Sequence, residues 1–191
     1  MEATGRKLAA DTETYVILLR AIGPVTHRLM SMAQWRDASE AAGFVAAETL
    51  VNTGNMIADF EGDEEAVAAR MTGVLRNFGL GDNVVPVVRR PDLLRQVLDA
   101  NPISAAAAER MNQTGVYFFV AKRPDFDWLK RYEGPEAIHI VEDHLVIDFT
   151  RDVAQSGRLI RQIDKNCGTN TSRNWNSLRR IAERCAAREK T

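Results

Sequence analysis

Residues 15–19 read Tyr-Val-Ile-Leu-Leu, five apolar residues without a polar break. A continuous run of that length suits a strand buried on both faces rather than one with a wet side. Gly23-Pro24 breaks it, and a loop carrying His27 and Arg28 is expected next. Met32, Trp35, Ala38 and Ala42 then recur at helical spacing, with Gly43 as the stop. Residues 47–52 and 56–60 read as the strands of a hairpin around Thr53-Gly54-Asn55, where Gly54 supplies the positive φ that its neighbours avoid. Asp63 caps a helix whose first turn holds Glu64 and Glu65 and whose inner face is Val67, Met71, Leu75 and Phe78. Residues 84–88 form a further strand, with Pro86 favouring an edge or a bulge. Strand, helix, strand, strand, helix, strand is the ferredoxin-like order.

The second half repeats that order loosely. A helical connector at 91–112, opened by Pro91-Asp92, leads to a strand at 116–121. A short helix at 125–131 follows, then a hairpin of 137–141 with 145–149 around Glu142-Asp143. A helix at 157–166 carries Leu159, Ile160 and Ile163 inward. An extended piece at 168–172 precedes a final helix with Trp175, Leu178, Ile181 or Ala182, and Cys185 on its apolar stripe. The fold class expected is α+β: two similar ferredoxin-like (βαββαβ-type) lobes, compatible with a degenerate duplication. The expected boundaries are a flexible N-terminus at 1–13, a first lobe at 14–90, the connector at 91–112 and a second lobe with the C-terminal helix at 113–191.

Net charge is −1, so no global field marks the chain for nucleic acid or anionic lipid. Locally the balance differs. Residues 150–191 hold ten Lys and Arg against four Asp and Glu, whereas 125–149 hold seven acids against two bases. Those fields steer a partner or attract one another. Two cysteines, Cys167 and Cys185, are too few for a disulfide framework. No apolar run is long enough to span a membrane, and no secretory signal is visible, so a cytoplasmic location is the expectation. His27, His139 and His144 form no metal pattern and read as surface histidines. Phosphate-loop and nucleophile-elbow patterns are missing, and the sequence leaves any cofactor unknown.

Thr171-Ser172-Arg173-Asn174-Trp175-Asn176 concentrates hydroxyl, guanidinium, amide and indole groups where a basic helix begins. With Ser172 as its cap, the amides of Arg173, Asn174 and Trp175 would face an anion, and Arg173 would grip a phosphate or carboxylate with two prongs. The alternative is structural: Trp175 in the core, the amides satisfying backbone between lobes, and Arg173 paired with an acid such as Asp148 or Asp152. Arg179, Arg180, Arg184 and Arg188 on the final helix track a phosphate backbone or form a solvated face. Residues 15–20 (Tyr-Val-Ile-Leu-Leu-Arg), Gly43-Phe44, Thr53-Gly54-Asn55 and Arg173-Asn174-Trp175-Asn176 occur in that order. In these motifs, from about residue 14 to 188, the chain resembles the bacterial proteins grouped as domain of unknown function 1697. Its first loop, Arg20-Ala21-Ile22-Gly23-Pro24-Val25, departs from the Arg-Gly-Ile-Asn and glycine pair usual there. The resemblance implies a two-lobed α+β fold and no substrate. The candidate ligand-binding residues are Arg20, Thr53, Asn55, Arg173, Asn174 and Asn176, lining a cleft between lobes. The expected partner is a phosphate-bearing or other anionic small molecule, a nucleotide or nucleic acid included. An enzyme of unrecognised chemistry at the same cleft, or a purely structural or oligomeric module, are the competing readings.

Overall fold

A computed structural model describes residues 12–190. The apolar run lies in β1 (Thr12–Leu19), with residues 15–18 fully buried and Leu19 almost so. The flexible segment expected at 1–13 falls outside the described residues except for Thr12 and Glu13, which pair with Glu61 and Phe60. The stretch expected to be a loop after Gly23 is a short helix, α1 (Pro24–Leu29), with proline at its start. There follow α2 (Met32–Ala41), β2 (Val45–Leu50), β3 (Asn55–Glu61), α3 (Glu64–Asn77) and β4 (Pro86–Arg89). Asp63 caps α3 by accepting from the Ala66 amide at 2.8 Å. The strand order is β2-β3-β1-β4 with every pairing antiparallel, as a ferredoxin-like sheet requires.

Two connector helices, α4 (Pro91–Ala100) and α5 (Ser104–Glu109), lead to the second sheet. It is built from β5 (Thr114–Phe119), β6 (Ala137–Val141), β7 (His144–Asp148) and β8 (Asn170–Arg173), ordered β6-β7-β5-β8. That is the order of the first sheet, element for element. The helix expected at 125–131 is a 3-10 segment, Asp127–Arg131. Before β8 comes α6 (Gly157–Cys167), and after it α7 (Trp175–Arg188).

Three apolar cores explain why β1 and β5 have no wet face. Tyr15, Ile17 and Leu19 pack with Trp35, Met71 and Leu75 under α2 and α3. Tyr117 and Phe119 pack with Trp128, Leu159 and Ile163 under α6. The opposite faces, Val16 and Leu18 from β1 and Val116 and Phe118 from β5, share a central core with Leu94, Val97, Trp175, Leu178 and Ile181. The final strand–helix junction therefore sits between the two sheets.

The basic helix α7 is fastened to the first lobe. Arg184 donates through Nε to both carboxylate oxygens of Glu48, at 2.7 and 2.8 Å. Arg188 donates to the carbonyls of Ala46 and Ile57 and pairs with Asp59 at 3.2 Å. These two arginines are engaged within the chain instead of forming an open basic track. The acidic stretch finds its partners elsewhere too, Asp148 with Arg110 and Asp127 with Lys130. Among the described residues Arg151–Glu136 is the only ion pair between the two oppositely charged stretches, and Arg158 adds a hydrogen bond to the Glu133 carbonyl.

Candidate functional site

Arg173 ends β8, opposite Val116 of β5. Its side chain crosses to the first lobe and is buried there. Nε donates to Asn55 Oδ1 at 2.5 Å, Nη1 to Thr171 Oγ1 and the Ser172 carbonyl at 2.8 Å each, and Nη2 to the carbonyls of Leu19, Thr53 and Gly54 at 3.0–3.2 Å. A guanidinium has five N–H groups, and these contacts engage all of them. No carboxylate, histidine or cysteine takes part. Burial alone pushes the Arg173 pKa down to about 10, which leaves it a cation at neutral pH. Asn55 is itself fully buried and donates to the Leu50 carbonyl and to Thr53 Oγ1.

The turn that supplies these carbonyls is shaped by Gly54. Its φ is 78°, and a Cβ there would meet Leu19 Cβ at 2.9 Å and Ile22 Cγ1 at 2.7 Å. The other expected site residues lie around this cage. Arg20 spans the lobes, donating to the Asn170 carbonyl at 2.7 Å near Asp164. Asn174, not Ser172, caps α7: its side chain accepts from the Ser177 amide at 2.8 Å. The Trp175 amide donates to Thr114 Oγ1, so this helix start does not present the three amides expected to face an anion. Asn176 lies on the half-buried first turn and accepts from Arg179. Thus Thr53, Asn55 and Arg173 come together, Arg20 approaches from one side, and Asn174 and Asn176 serve the helix end.

The second joint between the lobes repeats this geometry. Arg89 ends β4 opposite Val16, as Arg173 ends β8 opposite Val116. It crosses the other way: Nη2 donates to the carbonyl of Phe119, the last residue of β5, as Arg173 does to Leu19, the last of β1. Its Nε donates at 3.0 Å to Nε2 of His144, the first residue of β7, as Arg173 does to Asn55, the first of β3. Nη1 donates to the preceding residue's carbonyl in both. The joints differ in filling. Val87 stands where Thr171 offers a hydroxyl, and only Glu142 and Asp143 join β6 to β7, whereas four residues join β2 to β3. No turn carbonyls reach Arg89, and a cavity of about 580 Å³ remains, lined by β4, α3, the end of β5 and the Glu142–His144 turn.

Arg89 makes three hydrogen bonds, so two of its five N–H groups have no partner among the described residues. Among the described residues it forms no ion pair; Glu64 and Asp143 act on it only through space, against the burial that lowers its pKa. Lys122 and Glu65 pair across the cavity mouth at 2.6 Å. His144, expected at the surface, is 2% exposed. Because Nε2 accepts from Arg89, its proton sits on Nδ1. That proton is influenced by the Val141 backbone but makes no hydrogen bond among the described residues. Burial, then the charge of Arg89, push the His144 pKa down to about 4. The unfolded chain, with an ordinary imidazole near 6.5, therefore binds this proton first as pH falls. The stabilising effect is whole above about pH 6.5 and fades toward pH 4, a loss of roughly 3 kcal/mol. Urea unfolding at pH 7 and pH 4.5 is expected to show a shallower loss in His144→Asn than in the parent, and equal losses would contradict it.

The two cysteine thiols are buried, and burial raises both pKa values, that of Cys185 to about 11. Among the described residues no group of three His, Cys, Asp or Glu gathers as metal ligands, and no helix is long and apolar enough to cross a membrane.

These features define a two-lobed α+β protein whose pseudo-symmetric lobes meet at one filled and one open arginine joint. The chain belongs to the DUF1697 family, described as a protein of unknown function, whose model matches residues 12–145. That span ends before Arg173-Asn174-Trp175-Asn176. Among solved structures the fold is similar to that titled "The structure of conserved bacterial protein SP0830 from Streptococcus pneumoniae", with a TM-score of 0.69 and 12% identity over 91% of this chain and 98% of that one. Among curated proteins none matched.

Proposed function

We propose that the protein binds a small anionic ligand, bearing a carboxylate or phosphate, in the open joint between its lobes, with Arg89 as the anchor. The observation that carries this reading is the pair of unpartnered Arg89 N–H groups beside a cavity of about 580 Å³. A guanidinium drawn out of water without a carboxylate partner is held at a cost that an incoming anion relieves. The volume suits a small molecule rather than a polymer strand. In this reading Thr53, Asn55 and Arg173 hold the lobes in register, and Arg20, Asn174 and Asn176 support that joint.

The test is a thermal-shift panel of small carboxylates and phosphates at constant ionic strength, each beside a neutral analogue. At least one anion is expected to raise the Tm of the parent and to lose most of that effect in Arg89→Gln. Ala68→Phe, which fills the cavity from α3 and keeps the Arg89 side chain, is expected to lose it as well. Should no anion outperform its neutral analogue in the parent, the reading fails.

A further inference from the structure

The charges around Arg89 narrow the ligand further. Glu64 is half-buried at the first turn of α3, and Asp143 sits in the β6–β7 turn; both line the cavity and act electrostatically on Arg89. Neither forms an ion pair or a side-chain hydrogen bond with another described residue. Three charges therefore share one cavity, a cation flanked by two anions, with no two of them in contact. Glu142 adds a third carboxylate to the rim, and Lys122 is already neutralised by Glu65.

A phosphate dianion approaching Arg89 meets Glu64 and Asp143 and is repelled by both. An uncharged molecule leaves all three charges without a partner, the buried Arg89 among them. A ligand with one negative end and one positive end complements them together. Apart from His144, the remaining wall, including Val87, Leu93, Phe119 and Val120, is apolar. We infer that the ligand is a zwitterion of the amino-acid or short-peptide class. Its carboxylate lies on Arg89, its ammonium between Glu64 and Asp143, and an apolar side chain rests against Leu93 and Phe119. This rests on the reading that Arg89 holds an anion, and it adds the second charge.

The experiment is calorimetric titration of the full chain with apolar L-amino acids and dipeptides. For each zwitterion two analogues are titrated: the deaminated acid, which keeps the carboxylate alone (4-methylpentanoate for L-leucine), and the amide, which keeps the ammonium alone. Inorganic phosphate is the fourth probe. The expected result is that at least one zwitterion binds about 10-fold or more tightly than either single-charge analogue, the size of one charge-assisted contact. In Glu64→Gln with Asp143→Asn, the preference for the zwitterion over the deaminated acid is expected to collapse to near unity. If the deaminated acid or phosphate binds as well as the zwitterion, this inference is overturned while the Arg89 anion site stands. If no probe binds the parent, both are overturned.

Discussion

Replacing Arg173 by Met is expected to destabilise the protein by about 3–5 kcal/mol, because it strips a buried cage of its only cation. Asn55 Oδ1 and the carbonyls of Leu19, Thr53 and Gly54 all accept from this one side chain. Methionine fills part of the volume and answers none of them. Arg173→Lys is expected to recover less than half of the loss, since an ammonium is a point donor and cannot span acceptors on both of its sides. Urea unfolding at pH 7 measures both. A loss below about 1 kcal/mol in Arg173→Met would mean that the cage is solvated and contributes little.

Trp175→Ala is expected to cost about 3–5 kcal/mol as well, for a different reason. The indole is buried in the core that both sheets share, beside Val16 and Leu18 from one and Val116 and Phe118 from the other. Its loss weakens both lobes together, so unfolding is expected to remain a single transition at a lower denaturant midpoint. Tryptophan fluorescence, reporting on Trp35 and Trp128 in the two outer cores, and far-ultraviolet circular dichroism should coincide in this variant. Two separated transitions would show that the lobes fold independently.

The strands of the first lobe were legible because each carries its own apolar signature, from residues 15–19 in β1 to the edge proline of β4. So was the cap at Asp63, whose following acids and apolar spacing agree with one another. β8 was legible only as an extended piece at 168–172: Asn170-Thr171-Ser172-Arg173 has no apolar alternation and is held by pairing to β5 and by side chains that grip the other lobe. The start of α7 was misplaced for the same reason. Ser172 and Asn174 are both good caps, and only the tether on Arg173, invisible along the chain, postpones the helix until Asn174. α1 was overlooked because six residues are too few for a periodic stripe, although proline at its first position was a usable sign.

The convergence of Arg173 on Thr53-Gly54-Asn55 was anticipated from the motifs, but the filling of that joint by backbone carbonyls was not. Arg89 went unnoticed, and His144 read as a surface histidine. His144 precedes Leu145-Val146-Ile147, an apolar strand already assigned to the interior, and an imidazole at its mouth was a signal of burial. Arg89 closes β4 just as Arg173 closes β8, a correspondence that appears only when the two sheets are set in register.

That correspondence has a bearing on descent. Two copies of a single ferredoxin-like unit, associated about a dyad, would present the same arginine twice, each reaching into its neighbour. Fusing them into one polypeptide removes the obligation of the two contacts to stay alike. Lengthening one β-turn and gaining a threonine turns one contact into a permanent fastener, and the other is released to specialise without endangering assembly.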